Sequence, residues 1–168
     1  LRSLRLQGLD LLESATGSDT GAKLLVVGLD GADWSIVDPL IEQGRMPHLE
    51  RLVAGGARGK LGSITPTLSP VVWTSIATGV QPNRHGILDF LTPAADGSPG
   101  EPVRSTQRLV PAVWEVLSDA DISCAITGWW ATWPAEPVRG TLVSDRLAYQ
   151  LFGFRPDPAS HEGKTYPH

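Results

Sequence analysis

The run "KLLVVGLDG", Lys23 to Gly31, constrains the fold more than any other stretch. It is almost continuously apolar and closes on Asp-Gly. An uninterrupted apolar segment of this length suits a strand covered on both faces, as in a parallel sheet flanked by helices. Helical and strand-like segments then alternate. "DWSIVDPLIEQG" reads as a helix stopped by Gly44. "MPHLERLVAGGA" reads as a second, with Pro47 in its first turn. "ARGKLGSITP" fits a short strand. Ser69 to Thr78 fits a helix closed by Gly79, and "PNRHGILDFLTPAADGSPGEPVRS" holds enough turn formers for a hairpin. "VPAVWEVLSDAD" is a helix, "ISCAITGWW" a strand, "ATWPAEPVRG" a loop and "TLVSDRLAYQLF" a final short element. Such alternation predicts an α/β domain whose mainly parallel sheet is flanked by helices.

Three segments follow from this reading. Residues 1–22 form an N-terminal amphipathic helix and a Gly/Ser/Thr linker, 23–152 form the α/β domain, and 153–168 form an irregular tail. No internal repeat is visible. Hydrophobic residues make up 41% of the 168 and the net charge is -4, without a Lys/Arg run. That balance argues against a nucleic-acid polymer as partner. No segment reaches the 18 or so apolar residues of a membrane span. The single cysteine, Cys124, has no internal partner and reads as a small core hydrophobe. The chain opens on Leu1 without a visible signal peptide, which leaves its compartment open, cytoplasmic or exported. "AGGARGKLGS" fails as a phosphate-binding P-loop, because Ala54 and Leu61 replace residues that motif requires.

Two residues carry the chemistry. Asp30 ends the first apolar run, where ligands of open parallel sheets bind. Its carboxylate there suits a hard or borderline cation, and Gly31 lets the chain turn beside it. The plainer reading is a turn aspartate. Nearby, Asp33 reads as a helix N-cap and Asp38 as a surface acid. Ser69 precedes Pro70 at the start of a helix, which fits serine as N-cap and proline at N1. A hydroxyl at that position also sits at the positive end of a helix dipole, which favours an alkoxide and phosphate oxygens. Serine needs a base or a metal to act as a nucleophile. No histidine neighbours it in sequence, so a cation held partly by Asp30 is the natural activator.

"VVGLDGADW", "TPTLSPVVWTSIATG" and "PNRHGI" together resemble the N-terminal half of the alkaline phosphatase superfamily, in its type I phosphodiesterase/nucleotide pyrophosphatase-like group. The similarity runs from about Lys23 to Phe90, and more weakly through "GWWATWP" and "VSDR". It implies a metal-dependent phosphoric ester hydrolase acting on a small phosphate ester. Two divalent ions would serve it, zinc first, with manganese or calcium as alternatives. Asp30 would ligate one ion, and Ser69 would be both a metal ligand and the nucleophile, forming a phosphoserine intermediate. Thr67 is the reserve nucleophile. The sulfatase branch is set aside, because no arginine follows Ser69 where that branch requires it.

His85, before Gly86, reads as a structural turn histidine. Trp129, Trp130 and Trp133 read as packing under a loop, with a substrate-pocket wall as the alternative. The resemblance stops short in one respect. The family's remaining ligands, an aspartate with a histidine four residues on, an Asp-His pair and a late histidine, have no match here. The chain is therefore expected to be the N-terminal lobe of a longer enzyme, inactive alone. A non-catalytic domain that keeps the fold, or a phosphoethanolamine-type phosphotransferase, are the competing readings. Oligomeric state is open.

Overall fold

A computed structural model describes residues 23–94, 96, 100–147 and 162–167. The expected N-terminal helix and linker, residues 1–22, lie outside the described residues. The described chain falls into two compact units, one within 19–64 and the other from residue 65 onward.

The first unit holds helices α1 (Trp34–Glu42) and α2 (Pro47–Gly55). Asp33 caps α1 as expected, accepting the Ser35 N–H at 2.8 Å and its hydroxyl at 2.5 Å. The helix ends at a left-handed Gly44, whose N–H donates to Ile41 O while Arg45 N–H reaches back to Leu40 O. Pro47 occupies the first turn of α2, where its missing N–H costs nothing. The loop after α2 returns to α1. Arg58 lies 4.0 Å from the Trp34 ring centroid and pairs with Asp38 at 2.6 Å. Asp38, expected as a plain surface acid, is thus half of a partly exposed ion pair, worth little by itself.

Two strand expectations fail in this unit. Residues 23–29 and 57–64 take no strand pairing among the described residues. Leu24 and Leu25 are 89% and 84% exposed, the reverse of a strand covered on both faces. The apolar pattern is real, but a strand exists only where a second strand accepts its backbone bonds.

The second unit carries α3 (Ser69–Thr78), α4 (Pro82–His85), a 3-10 turn at Ser105–Gln107, α5 (Val113–Asp119), β1 (Cys124–Thr127), β2 (Gly140–Val143) and β3 (Thr165–Tyr166). The three strands form one mixed sheet: β1 and β2 are parallel, β2 and β3 antiparallel. A mainly parallel sheet is therefore not what the described residues display. β3 lies inside the segment expected to be an irregular tail. Two residues show no periodicity, and only pairing with Leu142 and Val143 makes them a strand. The expected final element divides into β2 and a helical turn at 145–147. The expected hairpin appears as a short antiparallel contact, with Leu91 opposite Pro102 and Phe90 and Thr92 bonded to Val103 and Glu101.

The core of this unit is Ala77, Ala112, Trp114, Val138 and Leu142, with Cys124, Ile126, Trp129, Ala135 and Tyr166 packed against it. Fully burying a side chain such as Leu142 contributes about 1.5–3 kcal/mol. Gly140 is required for the β1–β2 approach: at φ 137° a Cβ would stand 2.0 Å from Cys124 O. No helix among the described residues is long and apolar enough to cross a membrane.

Candidate active site

Asp30 stands in a tight turn in which Ala32 N–H donates to Leu29 O at 3.3 Å and Gly31 is left-handed. Its side chain is exposed. The turn geometry expected from Asp-Gly is thus present, without the strand expected before it. Asp30 belongs to the first unit and Ser69 to the second.

Ser69 is the first residue of α3, and the N-cap is Leu68, which contributes no side-chain cap bond. The expected N-cap serine is corrected by one position: Ser69 sits at N1 and Pro70 at N2. An extended backbone at Leu68, φ -87° and ψ 129°, already satisfies the conformation a cap needs. Val72 N–H closes the first turn onto Leu68 O at 2.9 Å. Pro70 and Val71 are buried while Ser69 is half-exposed, so the helix tip is anchored by its neighbours. At the other end Gly79 is left-handed and its N–H donates to Ser75 O, the stop expected from the sequence.

His85 fixes this helix from one side. It is fully buried at the end of α4. Ile87 N–H donates to its Nδ1 at 3.1 Å, so Nδ1 must be an acceptor and the ring proton resides on Nε2. Nε2–H then donates to Ser75 Oγ at 2.8 Å, whose hydroxyl donates to Val71 O at 2.9 Å. Gly86 completes the turn at φ 82°, and a Cβ there would meet the Leu109 side chain at 2.9 Å. The structural reading of His85 holds, with a firm role: it joins the turn to the first two helical turns behind Ser69.

Burial pulls the His85 pKa below the usual histidine value, Val71 O opposes this, and the Arg108 charge adds to the lowering. The folded state therefore binds a proton less readily than the unfolded chain. Stability from neutral His85 is complete above the unfolded value near 6.5 and declines as the pH falls below it. Thermal unfolding from about pH 7 to about pH 5 should show a steeper loss for the wild type than for His85→Gln. Parallel profiles for the two would refute the assignment.

The tryptophans pack. Trp129 meets Trp73 edge-on at 5.1 Å and Trp114 at 5.9 Å, and its indole N–H donates to Trp73 O. Trp130 meets Phe90 at 5.5 Å, while Trp133 lies beneath Arg104 and Arg146. Cys124 is partly buried against Trp114, as a small hydrophobe should be.

Sequence reading passed over Asp145. It follows an apolar strand, the same signal that singled out Asp30, yet here the strand forms. Its Oδ2 accepts the Ala131 N–H at 3.0 Å, and its own N–H donates to Thr132 Oγ1. Burial raises its pKa, the Ala131 N–H opposing. Nothing in the sequence marked the other buried charges, Arg108 and Lys164, because each is buried by chain far from it.

Among the described residues, no three His, Cys, Asp or Glu side chains come together as a metal-holding group. A catalytic zinc takes about three protein ligands, so the described donors do not by themselves complete the two-metal centre that the resemblance implies.

A family model described as type I phosphodiesterase / nucleotide pyrophosphatase matches residues 24–163. No curated protein and no solved structure matches the chain.

Proposed function

Because the chain belongs to the type I phosphodiesterase/nucleotide pyrophosphatase family, within the alkaline phosphatase superfamily, we propose that it carries the nucleophile of a hydrolase acting on small phosphoric esters, and that this nucleophile is Ser69. The observation that carries the reading is the position of Ser69, half-exposed at the first residue of a ten-residue helix that Gly79 ends. A helix N-terminus favours phosphate oxygens through its dipole and its first N–H groups, here that of Val71. As negative charge grows on the equatorial oxygens in the transition state, the same groups stabilise it further.

In this reading Ser69 Oγ attacks phosphorus in line with the leaving oxygen. The new P–O bond forms as the bond to the leaving group breaks, and the departing alkoxide takes up the proton that the serine gives up. Water then cleaves the phosphoserine and restores the hydroxyl. Asp30 is the proposed carboxylate donor toward one of two divalent ions, zinc first. The chain itself is proposed as the N-terminal lobe of an alkaline phosphatase-like domain. Alone it would then be inactive, since the described donors do not complete a metal centre.

The test is a trap for the covalent intermediate. The enzyme containing this sequence is mixed with bis-p-nitrophenyl phosphate, quenched in acid and digested. A phosphoryl group on the peptide that contains Ser69, located by fragmentation, is the expected result. A label on Thr67 would move the nucleophile, and turnover without any acid-stable adduct would sink the covalent route.

A further inference from the structure

Beyond the carboxyl ends of β1 and β2, the loop at 128–135 meets the 162–166 segment. The Trp133 indole N–H donates to Glu162 O at 3.2 Å, and Ala135 N–H donates to Gly163 O at 2.6 Å. The β2–β3 ladder pairs Val143 with Thr165 and extends one step, Ser144 N–H donating to Lys164 O at 2.8 Å. Opposed residues of an antiparallel pair project to one face. Ser144 and Lys164 therefore share the face of Leu142 and Tyr166, which looks onto the core.

A hydroxyl and an ammonium are thus turned inward. Ser144 is 0% exposed and Lys164 8%. Neither Ser144 Oγ nor Lys164 Nζ has a hydrogen-bond partner. An unpaired buried ammonium is strongly unfavourable unless a counter-charge reaches it. Two more cations stand against Trp133, whose indole N–H is bonded to Glu162 O. The Arg104 and Arg146 guanidinium carbons lie 4.8 and 5.0 Å from the Trp133 ring centroid. Glu101, 4.0 Å from Arg104 and 80% exposed, does little to neutralise that guanidinium. Asp145 keeps one buried carboxyl oxygen without a hydrogen-bond partner; burial raises its pKa, with the Ala131 N–H and the Arg146 charge opposing.

We propose that this rim binds an oxyanion of the phosphate class, held by Lys164 Nζ and Ser144 Oγ, with Arg104 and Arg146 supplying positive field on the Trp133 side. An ammonium offers three donors and a hydroxyl one, a set that matches a tetrahedral anion with several acceptor oxygens. The net charge of the whole chain is -4, so the cluster runs against the general balance. The site goes beyond the hydrolase reading and does not depend on Ser69.

The test titrates the 168-residue chain with inorganic phosphate at constant ionic strength, read by calorimetry and by thermal unfolding. Phosphate should raise the melting temperature of the wild type and of Ser69→Ala alike. Lys164→Met should melt higher than wild type without phosphate, having lost an uncompensated charge, and should bind phosphate at least about tenfold more weakly. Arg104→Gln, on the exposed side, should weaken binding several-fold with a reduced salt dependence. An absent phosphate response in the wild type would overturn the proposal, as would an undiminished one in Lys164→Met. A Lys164→Met chain that melts lower or fails to fold would show that the ammonium is paired within the protein, and would overturn the proposal equally. Loss of the response in Ser69→Ala alone would assign the anion to helix α3 instead.

Discussion

Replacing Ser69 with alanine is expected to lower turnover of bis-p-nitrophenyl phosphate by about 10⁴-fold or more in the enzyme that contains this sequence. On the proposed covalent route, removal of the nucleophile leaves only the contributions of binding and oxyanion stabilisation. The fold should be retained. The N-cap of α3 is Leu68, so no cap residue is lost. Pro70 and Val71, buried below the tip, keep the helix in place, and alanine has the best intrinsic helix propensity. A melting curve that stays cooperative, with collapsed kcat, is therefore the signature. A variant that keeps more than about a tenth of wild-type kcat would remove Ser69 from the chemistry. Loss of activity with Thr67→Ala but not with Ser69→Ala would transfer the role two residues upstream.

The second large effect concerns stability. Arg108 is 4% exposed and lies between two carboxylates, Glu115 and Glu136, each at 2.6 Å. Its Nε donates to Val110 O at 3.1 Å, and the Trp114 indole N–H completes the cluster by donating to Glu136. Glu115 also accepts the Ala112 N–H that opens α5. Arg108→Ala would leave two partly buried like charges facing a cavity, at a cost of about 3–5 kcal/mol. Domains of this size are stable by roughly 5–15 kcal/mol, so urea unfolding should shift far toward lower denaturant. Lysine at 108 cannot span both carboxylates with a planar fork and should recover little. Arg108→Met combined with Glu115→Gln and Glu136→Gln should recover most of the loss, because it removes the uncompensated charges along with their partner. A cost below about 1 kcal/mol for Arg108→Ala would mean that water reaches the cluster freely.

The two effects fall on residues of different legibility. Ser69 is readable because its signal is local: a serine, a proline, an apolar helix and a glycine within a dozen positions. Asp33 at its cap and the left-handed Gly44 and Gly79 are readable for the same reason. Helix boundaries depend on bonds between residues three or four apart, so the neighbouring sequence carries almost all the information. Arg108 looks like any surface arginine in "STQRLVP", and its burial depends on Glu136, 28 residues away.

The sequence by itself determined helices α1, α2, α3 and α5, the turn at Asp30-Gly31, the helix tip that presents Ser69, and, through ordered motifs, the family. Tertiary structure alone decided that Thr165–Tyr166 is a strand while Lys23–Leu29 pairs with nothing among the described residues. It also decided which charges are buried and what His85 holds. A strand or a buried ion pair is a property of two distant segments at once, and its free energy exists only after both have been brought together.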